Sequence, residues 1–198
     1  MANKVKFGLS EVHYAKFTGY NATTGEPEFA TPVAIPGAVN LTLDAEGEES
    51  PFYADNIKYY KEYANNGYSG ELEIALLPES FRTDILGEIK ENGVLVEKND
   101  AVTSQFALGF KVNGDTKETL YWYLNNSVSR PSTEAATTED TNDPKTDKLS
   151  ITASALTNNR VRTMTADDAS AAVRAAWFTA VVVKGPSGGV KEKAEKKA

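Results

Sequence analysis

Over most of the chain, apolar and polar residues alternate with a period of two, the mark of half-buried strands. Residues 5–18 read as one or two strands, with Val12, Tyr14 and Phe17 on one side and Glu11, His13 and Lys16 on the other. Tyr20–Pro27 is a turn cluster, and Glu28–Ile35 is expected to return from it as the second arm of a hairpin. After the break at Pro36-Gly37, Val39, Leu41 and Leu43 fall on one face of a further strand. Asp44–Ser50 is acidic and reads as a turn.

Residues 51–87 hold the densest run of aromatics. Ile57–Tyr63 is a β-favouring segment in which tyrosines alternate with Lys58, Lys61 and Glu62. Asn65-Asn66-Gly67 is a strong hairpin signal, because Asn-Gly tolerates positive φ, and Tyr68–Leu77 is expected to be the partner arm. In that arm Leu72, Ile74 and Leu76 oppose Glu71 and Glu73. Pro78 suits the first helical position, and Phe81, Ile85, Leu86 and Ile89 then fall at helical spacing, with Gly87 as a candidate end.

Further strands follow at Val94–Glu97, Thr103–Val112 and Thr119–Val128, the last two joined at Asn113-Gly114-Asp115. Ser129–Lys148 is polar, lacks periodicity and is long for a loop in a compact domain, which points to function or mobility. Leu149–Leu156 and Arg160–Thr165 read as strands, Asp168–Ala176 as a short helix, and Trp177–Val183 as a last buried strand. The pattern gives a mainly β fold with one or two short helices (α+β). Residues 1–184 form its domain, followed at 185–198 by a flexible Gly/Ser hinge and a Lys/Glu tail.

Composition narrows the function more than the fold. The 198 residues are 40% hydrophobic and 25% charged, ordinary for a folded chain, and contain no cysteine, so disulfides and thiolate sites are excluded. The net charge of −7 is unevenly placed: residues 1–183 carry 16 basic and 26 acidic side chains. A body of that sign repels nucleic acid, since phosphate binding needs lysine and arginine to displace counterions. The opening MANKVKFG has no apolar secretory core, and no apolar run approaches the ~20 residues of a membrane helix. Assembly in a cytoplasm, without a membrane, is the expectation.

Catalytic chemistry finds no foothold. The lone histidine, His13, sits at a polar strand position with no serine or cysteine motif to pair with, and nucleophile-elbow and phosphate-loop patterns are absent. Asp44, Glu46, Glu48 and Asp55 fall at calcium-loop positions, but Glu49 stands where the loop needs glycine, so a solvated or interfacial acidic segment is the better reading. Three Asn-x-Ser/Thr triplets carry no weight without a secretory signal. Tyr53, Tyr59, Tyr60, Tyr63 and Tyr68 could stack on sugars or bases, although such tyrosines more often meet core or protein. No catalytic residue, metal ligand or cofactor is expected.

An ordered series of motifs carries a resemblance. Gly-Leu-x-x-Val-His-Tyr-Ala (8–15), Pro36-Gly-Ala-Val39, PFYADN (51–56), NNGYSGELEIALLPESF (65–81), Gly93-Val-Leu-Val-Glu97, Phe106-Ala-Leu, Asn113-Gly-Asp and Ser129-Arg-Pro131 together resemble the major tail protein family of long-tailed phages and prophages of Gram-positive bacteria. The likeness runs to about Val183 and implies a tail tube subunit. Its fold would be two packed antiparallel sheets, sandwich- or barrel-like, flanked by a helix, with a long inter-subunit hairpin and loop. Homo-hexameric rings would stack into a conduit for DNA ejection. Its partners would be its own copies, the tape measure, terminator and distal tail proteins, and DNA that passes without specific binding. Its place would be the virion tail. The resemblance further leads us to expect no Ig-like domain of the kind some relatives append after Gly-Pro-Ser-Gly-Gly.

Other tube-fold components (a terminator, a baseplate hub, a type VI-like tube protein) share that architecture, and a carbohydrate- or receptor-binding sandwich is the reading of another class. The aromatic surplus of the first half of residues 51–87 marks subunit-interface candidates at Pro51, Phe52, Tyr53, Asp55, Ile57, Tyr59, Tyr60 and Tyr63. Arg130 and Pro131 at the head of the acidic loop join them. The lumen-facing side stays open, with one face of the strands near Val39–Leu43 and Ile57–Tyr63 as the expectation.

Overall fold

The computed structural model describes residues 3–133, 137 and 145–184. The chain runs β1 (Lys6–Tyr20), β2 (Pro27–Phe29), β3 (Val33–Ala34), β4 (Ala38–Glu46), β5 (Glu49–Ala54), β6 (Ile57–Tyr63) and β7 (Gly67–Ile74). It continues through helical turn α1 (Glu79–Phe81) and a π turn (Arg82–Leu86), then β8 (Ile89–Glu91), β9 (Val94–Val96), β10 (Phe106–Gly114) and β11 (Thr119–Val128). β12 (Asp147–Ser154), β13 (Arg162–Met164) and α2 (Ala171–Ala175) complete it. The fold is mainly β with short helices, as the alternation implied. One antiparallel ladder, ordered β2-β1-β10-β11-β12-β7-β4, folds over so that its two wings pack face to face without closing a barrel.

Between the wings lies the larger core. Phe106, Leu108 and Phe110 of β10 and Tyr121 and Tyr123 of β11 meet Leu72 and Ile74 of β7 and Leu149 and Ile151 of β12. Phe81, Ile85 and Leu86 join the same core, and Tyr14 packs edge-on against Phe81. The opposite face of β10 and β11 carries a second core around Trp122, Leu120, Leu124 and Trp177. β10 and β11 are therefore buried on both faces, as their unbroken apolar runs require.

Five local expectations are corrected. The hairpin tip is Asp55-Asn56, not Asn65-Asn66-Gly67: both tip residues take positive φ (50° and 62°) and Ala54 pairs Ile57 across a two-residue loop. Asp44–Ser50 is not a turn: Asp44–Glu46 ends β4 and Glu49–Ser50 begins β5, so β4 and β5 form one arm and β6 and β7 the other. Asn65 is the extra residue between them, and Gly67 is required because a Cβ there would stand 2.0 Å from the Ala153 carbonyl oxygen.

Trp177–Val183 is not a strand. Both neighbours of β11 are already in place, so these residues contribute side chains to the second core while their backbone turns over it. The helix after Pro78 is only one α turn and a π turn closed by Gly87 (φ 77°), with Ile89 passing to β8. Glu28–Ile35 breaks into β2 and β3 rather than one continuous arm. The tail at 185–198, and residues 134–136 and 138–144 of the acidic loop, lie outside the described residues.

Candidate assembly interface

Beyond Gly67 the hairpin leaves the sheet and stands alone: every residue of β6, and all of β5 but Ala54, is exposed. Phe52, Tyr53, Ile57, Tyr59, Tyr60 and Tyr63 are each about 60–70% exposed. Two strands with no third strand or covering element are marginal in water, so this projection carries apolar surface that the monomer does not bury.

Cross-strand register divides the hairpin into two faces. Glu49 opposes Tyr63, Pro51 opposes Lys61 and Tyr53 opposes Lys58 on one; Ser50 opposes Glu62, Phe52 opposes Tyr60 and Ala54 opposes Ile57 on the other. A bulge between Phe52 and Tyr53 leaves Tyr59 as the extra residue. The first face is internally paired. Lys58 Nζ lies 3.0 Å from Glu49 Oε1, Tyr63 donates its hydroxyl to Glu49 Oε2, and Lys61 sits over the Tyr63 ring. The Lys58 ammonium, with the Tyr63 hydroxyl, holds the Glu49 carboxyl below the usual carboxylate value. The second face offers Phe52, Ala54, Ile57 and Tyr60.

The sheet from which the hairpin springs has the reverse polarity. Leu41 and Leu43 of β4, Leu72 and Ile74 of β7, and Leu149 and Ile151 of β12 face the core. The alternate positions form a continuous hydrophilic surface: Thr42 pairs Glu71, Asp44 pairs Ser69, Ser150 pairs Glu71 and Thr152 pairs Ser69. Asp44, Glu46, Glu71 and Glu73 lie there against one cation, Lys148, which is 3.6 Å from Glu71. This acidic face was not singled out from the sequence, although the alternation of Glu71 and Glu73 with leucine and isoleucine carried the signal. Asp44 and Glu46 stand on β4 and Glu48 between β4 and β5, with Asp55 at the far tip, an arrangement unlike a calcium loop.

Arg130 and Pro131 are not brought to the hairpin. Arg130 follows β11, where its Nε is 2.9 Å from Glu97 Oε1 and its guanidinium donates to the Ala101 carbonyl. His13 stacks on Phe178 with ring centroids 4.4 Å apart, and its Nδ1 lies 2.9 Å from the Glu11 carbonyl.

No curated protein matches the chain. The family model described as phage tail tube protein matches residues 2–181, nearly the whole length. A β domain with a projecting apolar hairpin and an acidic sheet face fits a subunit made to assemble, and with that match the chain belongs to the phage tail tube protein family, structural components of the virion tail.

Proposed function

We propose that this chain forms hexameric rings that stack into the tail tube, and that the acidic outer face of β4, β7 and β12 lines the passage through which DNA leaves the capsid. The polarity of that face carries the reading. Four carboxylates and one lysine stand on strands whose other side is core, with serine and threonine between them. Duplex DNA presents roughly one negative charge per 1.7 Å, and it is held where cations displace its counterions. A wall of the same sign offers no such contact and lets the duplex slide. The side of Val39–Leu43 that faces the passage is then that of Thr42 and Asp44, because Leu41 and Leu43 belong to the core.

Ring closure also answers the free edge of β4, which has β7 on one side and no strand on the other among the described residues. Contacts with tape measure, terminator and distal tail proteins, and assembly in the host cytoplasm, belong to the same proposal. Negative-stain microscopy of the concentrated protein tests it. Hollow tubes with six-fold end views are expected; a monomer at every concentration would overturn it.

A further inference from the structure

The hairpin and the sheet disagree about which side is apolar. Along the arm formed by β4 and β5, from Leu41 to Ala54, residues alternate without an insertion, the extra residue at the junction lying on the other arm at Asn65. Leu41 and Leu43 therefore share a side with Glu49 and Tyr53, and Thr42 and Asp44 share a side with Phe52 and Ala54. Core-facing polarity in the sheet becomes the ion-paired face in the hairpin, and the water-facing side becomes the apolar one. A hairpin that folded back on its own subunit would keep its apolar side continuous with the core. This one cannot bury Phe52, Ile57 and Tyr60 that way.

A receiving surface exists on the same chain. The N-terminal part of β1, which pairs only β10, and the edge strand β4 meet at a groove of about 530 Å³ whose floor includes Phe110, Tyr121 and Tyr123. Phe7 and Val39 on its rim are 60% and 56% exposed. Lys6 and Arg162 also line it. Arg162 donates to the Tyr123 hydroxyl and lies over the Tyr68 ring, and it has no carboxylate partner among the described residues. The apolar face of the hairpin is bordered by acids, Glu62 beside Tyr60 and Asp55 at the tip. An acid-bordered apolar projection thus meets an aromatic groove bordered by cations, and the complementarity is of both polarity and charge.

We infer that the Phe52–Ile57–Tyr60 face of the hairpin docks into the β1–β4 groove of a second copy of this chain, while the Glu49–Lys58–Tyr63 face stays in water. This rests on the tube reading and deepens it by naming the two surfaces. Because they are different patches of one chain, the contact is head-to-tail, and such contacts propagate into rings or open filaments rather than stopping at a dimer.

Assembly of serine variants together with a photo-crosslinking residue in the full chain tests this. Phe52→Ser with Tyr60→Ser is expected to abolish tubes while the melting temperature stays within a few degrees of wild type. Tyr53→Ser with Tyr63→Ser is expected to leave tubes intact. A benzophenone side chain at position 60, in tubes built from isotopically heavy and light copies, is expected to crosslink between copies to peptides around residues 6–9 or 39–43; one at position 63 is not. Tubes from the Phe52/Tyr60 variant, equal loss from both variants, or crosslinks mapping elsewhere would overturn the docking inference while leaving the tube reading standing. A wild-type chain that stays monomeric would instead overturn both.

Discussion

The indole of Trp122 covers Gly109, its partner on the neighbouring strand: a Cβ built on that glycine would stand 2.7–2.8 Å from ring atoms Cε3, Cζ3 and Cη2. The ring is pinned, since Trp122 Nε1 donates to the Trp177 carbonyl at 3.1 Å. Gly109→Ala is therefore expected to overpack the second core and cost about 1–3 kcal/mol. Thermal unfolding should fall by roughly 2–4 °C per kcal/mol at this chain length. A variant melting with the wild type would mean that Trp122 does not sit over β10 as described.

Asn126 is fully buried where the β10–β11 register slips by one residue. Its amide donates to the carbonyls of Phe106 (2.9 Å) and Tyr123 (2.8 Å) and so supplies donors that the ladder lacks there. Asn126→Leu keeps the bulk and strands both carbonyls, for an expected loss of about 1–3 kcal/mol by chemical denaturation. Full stability in that variant would show that the two carbonyls find other donors.

These two residues show what the sequence could and could not display. The alternation of Phe106, Leu108 and Phe110 announced one buried face. The small residues between them, Ala107 and Gly109, do not show what covers the other face, and only the tertiary position of Trp122 and Trp177 explains them. The hairpin is a similar case. Its aromatics are legible, but the stronger local turn signal, Asn-Asn-Gly, does not mark the tip, because the pairing of β5 with β6 is decided by register over the whole arm. Gly67 serves close approach to Ala153 rather than a turn. The acidic face was written plainly in Glu71 and Glu73, yet its extent required the neighbouring strands. Arg130, an interface candidate from the sequence, pairs with Glu97 within the subunit, a partner that the sequence did not indicate.

Tyr14 makes a pH-dependent contribution. Its hydroxyl donates to Asp84 Oδ2 at 2.9 Å. Burial pushes the phenol up to about 12; Ser80 pulls the other way, and the Asp84 carboxylate adds to the rise. The neutral form is the one the fold favours. Above pH ~10 the unfolded chain loses this proton while the folded chain keeps it, so stability falls as pH rises from about 10 to about 12. Tyr14→Phe should flatten that part of the stability–pH curve. An unchanged slope would assign the alkaline loss to other groups.

Removing the projection should separate folding from assembly. Deletion of residues 48–64 leaves Glu46 paired with Gly67 across Gly47-Asn65-Asn66, a loop length that hairpins accept. None of the removed side chains belongs to either core. The shortened chain is expected to melt cooperatively near the wild-type temperature and to remain monomeric by sedimentation. Tubes of normal diameter from this variant would remove the hairpin from the assembly contact altogether.

The acidic face can be reversed with little structural cost. Asp44 and Glu71 are exposed, and the one ion pair involved, Glu71 with Lys148 at 3.6 Å, is a surface pair of the kind worth about 0–1 kcal/mol. Asp44→Lys with Glu71→Lys changes the face from four acids and one base to two acids and three bases. Tubes should still form, because neither residue lies on the hairpin or in the β1–β4 groove. If this face lines the passage, the reversed tubes should retain duplex DNA at low ionic strength and release it as salt rises, since each phosphate contact adds to the salt dependence. Phages carrying the change should assemble and adsorb but eject slowly. Wild-type ejection by such phages would place this face outside the passage.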